Sequence, residues 1–355
     1  MRKKILVAMS GGVDSSVASL LLKRNNFDVT GVTMCFGNED EATDVRKPRC
    51  CGSRAIEDAR RVCHKLDIPH YVMDFSKDLR KHVINKFVSE YSKGRTPNPC
   101  IECNRYLKFA ILLGKAQAMG FDFLATGHYA RIEAKEQNFL LKRAKDKAKD
   151  QAYFLYPIKK HSLKCIMFPL GDLTKKEVRK IANDAGLPVA RKPESQDICF
   201  IREKNYHMFL LERIKGTAPG RIVDTKGNFL GKHRGVIFYT IGQRKGLGIS
   251  SKRPLYVVST DAKNNKIIVG EEKDLKAKGF MASDVNILVE KLPRTAFAKI
   301  RYADKEAKCN ISIKGKKLKI MFKKRESAIT PGQSVVLYGG DTILGGGIIE
   351  GVLRG

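Results

Sequence analysis

The stretch from Ile5 to Ser16, ILVAMSGGVDSS, decides the fold. Its first half belongs to the apolar run Lys4–Met9, the pattern of a strand buried on both faces within a parallel sheet. Asp14 and Ser15 are start signals for a helix over Ser15–Lys23, where Val17, Leu20 and Leu21 recur at helical spacing. Between strand and helix, Gly11 and Gly12 let the backbone come close to an anion. Ser10, Ser15 and Ser16 add hydroxyl donors, and the helix N-terminus adds N–H groups and a positive dipole end. No Gly-Lys-Ser/Thr closes this loop and its glycines are not spaced G-x-G-x-x-G. A kinase cleaving between the β and γ phosphates and an NAD enzyme are both disfavoured.

Outward from this loop the alternation continues. Asp28–Met34 reads as a second strand, and His70–Phe75 and Phe121–Tyr129 as further ones. Ser53–Leu66 is an amphipathic helix with Ile56, Ala59, Val62 and Cys63 on one side. Strands separated by helices predict an α/β fold, a doubly wound parallel sheet whose ligands bind beyond the carboxyl ends of its strands. The pattern changes near residue 205. Ala218–Ile249 is rich in glycine and short β runs, with a turn at Asp224–Gly227. Cys309–Phe322 alternates apolar and polar residues on both sides of Gly315, a hairpin signal, and Gln333–Tyr338 and Thr342–Ile349 continue in the same way. The expected organisation is a catalytic α/β domain over 1–204, a small central domain over 205–275 and a C-terminal β-barrel over 276–355.

Composition narrows the function. The 355 residues are 43% hydrophobic, ordinary for a globular protein, and hold no apolar run of about eighteen residues that would span a bilayer. The basic start and short apolar run at Met1–Gly12 lack a cleavage site, so a cytoplasmic protein is expected. Lys and Arg number 68 against 37 Asp and Glu, a net charge of +31 that points to a polyanion partner. The absence of Trp argues against a single-strand stacking platform and for a folded RNA or a duplex. Lys142–Asp150 reads as a solvated loop.

Nine cysteines in a cytoplasmic chain are filler or chemistry rather than paired disulfides. Cys63 sits on an apolar helix face and reads as core, and Cys35 as packing near a strand end. Cys50–Cys51, Cys165 and Cys309 have no chemical context. Cys100 and Cys103 form a C-x-x-C behind Pro97-Asn98-Pro99, a spacing open to zinc, redox, iron–sulfur or sulfur-transfer chemistry. Arg105 and Lys108, close in sequence, are expected to lower the thiol pKa values.

The Ser-Gly-Gly-x-Asp-Ser string at Ser10–Ser15 resembles the PP-loop of the ATP pyrophosphatases, which cleave ATP between the α and β phosphates to adenylate a substrate. Thr96–Phe109 (TPNPCIECNRYLKF), Ala125–Arg131, Asp150–Tyr156, Pro193–Ile201 (PESQDICFI), Thr240–Ile249 and Thr330–Tyr338 together resemble the bacterial tRNA-specific 2-thiouridylases, nearly end to end. The resemblance implies that ATP and Mg²⁺ serve to adenylate O2 of the wobble uridine in tRNAs for Lys, Glu and Gln, and that sulfur then displaces AMP. It implies Cys103 as nucleophile and Cys199 as carrier of a persulfide, supplied by a cysteine desulfurase or sulfur-relay protein, the pair being able to end as a disulfide. It implies ATP contacts at Ala8, Met9, Ser10, Gly11, Gly12, Val13, Asp14 and Ser15, with Met34 and Gly127, and an association of Asp14 with the Mg²⁺–pyrophosphate. Contacts to tRNA are implied for Asn98, Pro99, Cys100, His128, Lys149, Asp150, Gln151, Arg301, Tyr302 and Gln333.

One residue departs from the family. Cys100 stands where the better-known members carry an Asp that is a candidate general base. With Cys103 and Cys199 it makes three cysteines that are also a ligand set for a [4Fe–4S] cluster with one open iron; structural zinc would want a fourth ligand. Two rivals of other classes are a PP-loop ligase acting on a small molecule and a non-catalytic RNA-binding iron–sulfur protein. The first needs neither the paired cysteines nor the charge, and the second does not need the phosphate loop.

Overall fold

A computed structural model describes residues 2–37, 53–136, 138–193, 198–201 and 206–354. Cys50 and Cys51, and Glu194–Asp197 of the segment before Cys199, lie outside the described residues. The chain divides into two compact units. One comprises Met1–Val83, Cys100–Phe200 and Gly340–Ile343, and the other Ile84–Pro99, Ile201–Gly339 and Leu344–Gly355.

In the first unit five strands form a parallel sheet. These are β1 (Lys4–Ala8), β2 (Asp28–Cys35), β3 (His70–Asp74), β4 (Phe123–Thr126) and, after the antiparallel hairpin β5 (Ala130–Lys135) and β6 (Asn138–Arg143), β7 (Ile166–Met167). Their order is β3-β2-β1-β4-β7. Ile5, Leu6 and Val7 have no exposed surface, as the unbroken apolar run requires of a central strand. The helix Val13–Arg24 lays Val13, Val17, Ala18, Leu20 and Leu22 into the same core, and Ser53–Lys65 adds Ile56, Ala59, Val62 and Cys63. Burial pushes the Cys63 thiol up to about 11, so it is inert filler.

The order places β1 between β2 and β4, so the chain leaves β1 and β4 toward a common crevice, the switch point at which open α/β sheets bind ligands. Ala8 pairs with Thr126, which sets the loop after β1 beside the residues after β4. The expected strand Phe121–Tyr129 is shorter than its apolar run. It ends at Thr126, because Gly127 and His128 turn the chain into β5. The expected loop at Lys142–Asp150 begins two residues late, since Lys142 and Arg143 complete β6 and Lys142 Nζ meets Glu133 Oε2 at 2.6 Å.

The second unit holds a four-stranded sheet and a barrel. The sheet consists of β8 (Gly220–Asp224), β9 (Phe229–His233), β10 (Tyr256–Asp261) and β11 (Lys266–Gly270), in the order β10-β11-β8-β9. Asp224 Oδ1 accepts from the N–H groups of Lys226 and Asn228, which makes the turn expected there. The barrel strands are β12 (Lys276–Ile287), β13 (Thr295–Lys299), β14 (Ala307–Lys314), β15 (Lys317–Ser327), β16 (Ser334–Gly339) and β17 (Thr342–Leu353). They run β12-β15-β14-β13-β16-β17, and β17 pairs back onto β12 to close the ring. Lys314 and Lys317 face each other across a turn in which Gly315 has φ +58°, so the hairpin is the one its pattern predicts. Phe280 and Phe322, with ring centroids 5.8 Å apart, fill the barrel with Ile320, Leu337 and Ile349.

Candidate active site

The loop after β1 is shaped by its glycines. Gly11 has φ +66°, and a Cβ there would stand 2.3 Å from the carbonyl oxygen of Ala55, so only glycine fits. Gly12 caps the helix, and its carbonyl accepts from the hydroxyls of Ser15 (3.2 Å) and Ser16 (2.8 Å). Ser15 Oγ in turn accepts from the Ser10 N–H at 3.2 Å, which folds the loop around the helix start. The first-turn N–H groups have no intrahelical acceptors and form an anion cradle. Gly127 closes the other side, since a Cβ there would lie 2.6 Å from the Ser15 nitrogen. Met34, at the end of β2, is half-buried.

Asp14 is held by two residues that its local sequence does not reveal. Lys175 Nζ reaches its two carboxylate oxygens at 2.7 and 2.8 Å, and the Tyr129 hydroxyl donates to Oδ1 at 2.9 Å. Lys192 Nζ binds the Gly11 carbonyl at 2.8 Å and Asp58 at 2.7 Å. The capping box Thr174–Glu177 at the head of Lys175–Asp184 is a readable helix start, but nothing in the sequence says where that helix docks.

Cys100 and Cys103 stand in the first turn of a continuous helix over residues 99–118, with Pro99 at its start. Three residues apart, they share a face. The segment Cys103–Leu112 is wound as a π-helix. Cys199 comes from a distant part of the unit, yet its thiol feels the charges of Cys103 and Cys100, which brings the three thiols into one neighbourhood. Lys108 acts on all of them.

The expectation of lowered thiol pKa values is overturned. Burial raises all three, Cys199 to about 12, and outweighs the pull of Lys108. Cys100 and Cys199 nevertheless keep exposed surface. Raised above their ordinary value, the three thiols are neutral at pH 7. The Arg105 guanidinium lies 5.9 Å from the Tyr106 ring centroid. Among the described residues no three His, Cys, Asp or Glu side chains are arranged to hold a metal ion, so the thiols as placed are not a formed cluster site.

His128 joins the two halves of the site. Its Nε2 is 3.4 Å from Lys108 Nζ and its Nδ1 2.7 Å from Thr126 Oγ1. Burial, and secondarily Lys108, hold the imidazole well below its ordinary pKa, so it is neutral. An ammonium can only donate, so Nε2 accepts from Lys108 and the ring proton sits on Nδ1, donated to Thr126. Phe109 and Phe168 flank the ring at 6.0 Å each. Gly127 thus touches the phosphate loop, while the next residue orients the lysine that serves the thiols.

Several of the residues expected at tRNA are engaged within the protein. Asp150 Oδ1 accepts from the N–H groups of Ala144 and Ala152, and Gln151 Oε1 from that of Tyr129. Lys149 is half-buried beside them. In the second unit Arg301 Nη2 donates to the Ala328 carbonyl and to Thr330 Oγ1, and Gln333 Nε2 to the Thr96 carbonyl at 2.8 Å. Asn98 is half-buried, Pro99 buried, and Tyr302 exposed at 38% with Lys299 Nζ 5.7 Å from its ring centroid.

Known proteins match nearly the whole length of the chain. Residues 3–203 match the family described as tRNA methyl transferase HUP domain, 207–271 its PRC-barrel domain and 277–349 an aminomethyltransferase beta-barrel domain. The tRNA-specific 2-thiouridylase MnmA 1 of Syntrophus aciditrophicus is 54% identical over 100% of this chain and 94% of its own length. The 2-thiouridylase of Clostridium botulinum is 47% identical over 99% of both chains, and that of Acetivibrio thermocellus 48% over 98% and 99%. At such identity over such coverage, the chain belongs to the tRNA-specific 2-thiouridylase family.

Proposed function

We propose that the protein is an ATP-dependent tRNA uridine 2-sulfurtransferase that works through a cysteine persulfide. The observation that carries this reading is the link Gly127–His128, which joins the phosphate loop to the cluster of Cys100, Cys103 and Cys199 through Lys108. A site that only ligates an amine needs no such cluster, and an RNA-binding protein needs no phosphate loop.

In this reading the loop residues Ala8–Ser15, Met34 and Gly127 hold ATP, and Asp14 serves the accompanying Mg²⁺. A carboxylate beside phosphates suits that hard cation, which would offset charge on the leaving pyrophosphate. Uridine O2 attacks the α-phosphorus and pyrophosphate leaves, which turns a poor leaving group into AMP. The terminal sulfur of a Cys199 persulfide then attacks C2 and expels AMP. The Cys103 thiolate attacks the Cys199 sulfur, breaks the S–S bond, and frees 2-thiouridine with a Cys103–Cys199 disulfide. A dithiol reductant resets the pair. Raised thiol pKa values fit this order, because the resting thiols are quiet and a persulfide is the stronger acid.

The substrate is the wobble uridine of the tRNAs for Lys, Glu and Gln, and the persulfide comes from a cysteine desulfurase or relay protein in the cytoplasm. The division 1–204, 205–275 and 276–355 assigns chemistry to the first part and tRNA to the others. In this scheme Asn98, Pro99 and Cys100 contact the tRNA near the target base, and His128, Lys149, Asp150, Gln151, Arg301, Tyr302 and Gln333 are further tRNA contacts.

The test is a pair of variants. Cys103→Ser and Cys199→Ser each abolish 2-thiouridine formation, while Cys199→Ser still adenylates the tRNA and releases pyrophosphate. Full thiolation by Cys199→Ser with a donor present would overturn its role. A second reading keeps the thiolation but replaces the persulfide with a [4Fe–4S] cluster on Cys100, Cys103 and Cys199; it rests on the presence of the third cysteine and requires the thiols to draw together, since as placed they are not set to hold a metal. Anaerobic purification followed by iron and acid-labile sulfide assays decides it. The persulfide reading expects neither, and stoichiometric iron lost in Cys100→Ala would replace it with the cluster.

A further inference from the structure

We propose that Lys175 is a counter-ion switch at the nucleotide site. It holds Asp14 while no nucleotide is bound, and it passes to phosphate oxygens when Asp14 is taken by the Mg²⁺ that accompanies ATP. The proposal rests on the reading of the loop after β1 as an ATP site.

Both oxygens of Asp14 are occupied. Lys175 Nζ stands 2.7 Å from Oδ1 and 2.8 Å from Oδ2, and the Tyr129 hydroxyl donates to Oδ1 at 2.9 Å. The lysine is 9% exposed, and its ammonium also lies 5.7 Å from the Tyr129 ring centroid. Its backbone is fixed. Lys175 opens the helix Lys175–Asp184 behind the Thr174–Glu177 capping box, and its N–H donates to Asp146 Oδ2 at 2.9 Å. The anchor stays in place and the flexible stem alone redirects the charge.

A divalent cation and an ammonium cannot share the same two carboxylate oxygens, since their mutual repulsion at such distances is large. Displaced from Asp14, a buried ammonium needs another anion. The phosphate loop lies at that carboxylate, so the incoming triphosphate supplies one. Asp14 is therefore closed to the metal until phosphates arrive, and metal and nucleotide bind with positive, reciprocal coupling.

Mn²⁺ is the probe, followed by electron paramagnetic resonance and calorimetry on the full chain, with α,β-methylene-ATP as the uncleavable nucleotide. Wild type is expected to bind Mn²⁺ weakly alone and at least about tenfold more tightly with the analogue. In Lys175→Met, nucleotide-free Mn²⁺ binding strengthens about tenfold, analogue binding weakens, and the coupling shrinks toward unity. Lys175→Arg retains the coupling. Lys175→Gln, which keeps a donor toward Asp14, follows Lys175→Met and serves where that variant does not fold. Unchanged nucleotide-free Mn²⁺ affinity together with unchanged coupling in Lys175→Met or Lys175→Gln overturns the switch. A wild type that binds Mn²⁺ but no analogue overturns the ATP reading on which the switch rests.

Discussion

Lys108 is one cation acting on four titratable groups, the thiols of Cys100, Cys103 and Cys199 and the imidazole of His128. Its charge lowers all four, favouring thiolate and neutral imidazole, although burial wins at the thiols. In Lys108→Met the thiols lose the cationic attraction that lowers all three. The pH profile of iodoacetamide alkylation then moves to higher pH, while a Lys108→Arg profile stays near wild type. A profile unmoved in Lys108→Met would show that the lysine has no hold on the thiols. The neutral His128 makes a separate prediction. A folded pKa below the unfolded 6.5 means its contribution to stability is present above pH 6.5 and is lost as pH falls through the folded value. Thermal melts should fall as pH drops below 6.5, and His128→Gln should flatten that fall, measured against wild type in the same buffers.

The elements that hold these residues were unequally legible. The strand–loop–helix at the start of the chain declares itself because its signals are local: an apolar run, two glycines and a helix start within a dozen positions. The same holds for the hairpin at Gly315. The partners of Asp14 were hidden, because Tyr129 and Lys175 reach it across 115 and 161 positions and no local pattern encodes docking. The winding of the Cys103 helix was hidden for another reason. Five residues along an α-helix lie about 140° apart, which would turn Lys108 away from Cys103, whereas i→i+5 winding stacks them. The π segment Cys103–Leu112 is therefore what turns a nearby lysine into a thiol counter-charge. The phosphate loop offers the sharpest test at this scale. Gly11→Ala forces a left-handed φ of +66° on alanine, at about 1–2 kcal/mol. It also drives a Cβ to 2.3 Å from the Ala55 carbonyl. Lowered melting temperature together with lost ATP binding is expected. Wild-type ATP affinity in the variant would mean that the loop does not carry the nucleotide.

At the scale of the whole molecule the charge of +31 needs a destination. Unequal legibility applies here too, since the excess of lysine was plain but its arrangement was not. The barrel hairpin sets Lys314 directly opposite Lys317. Cys309, Ile311, Leu318, Ile320 and Phe322 point inward, leaving Lys308, Lys319 and Lys323 on the alternate, outer positions. Like charges gathered on one sheet face destabilise it, by up to about 1 kcal/mol for a directly opposed pair. A strand pair that keeps them is understandable where phosphates neutralise them. Binding of tRNA to the intact protein should then weaken steeply with salt, the logarithm of the association constant falling linearly with that of the salt concentration. The triple variant Lys308→Gln, Lys319→Gln, Lys323→Gln should flatten the slope by roughly one for each lysine that meets a phosphate, and weaken binding alike for every tRNA sequence. Its barrel should melt no earlier than wild type, because removing unpaired like charges relieves repulsion. A slope equal to that of wild type, with unchanged affinity at low salt, would place this face in solvent and send the search for the tRNA surface elsewhere on the molecule.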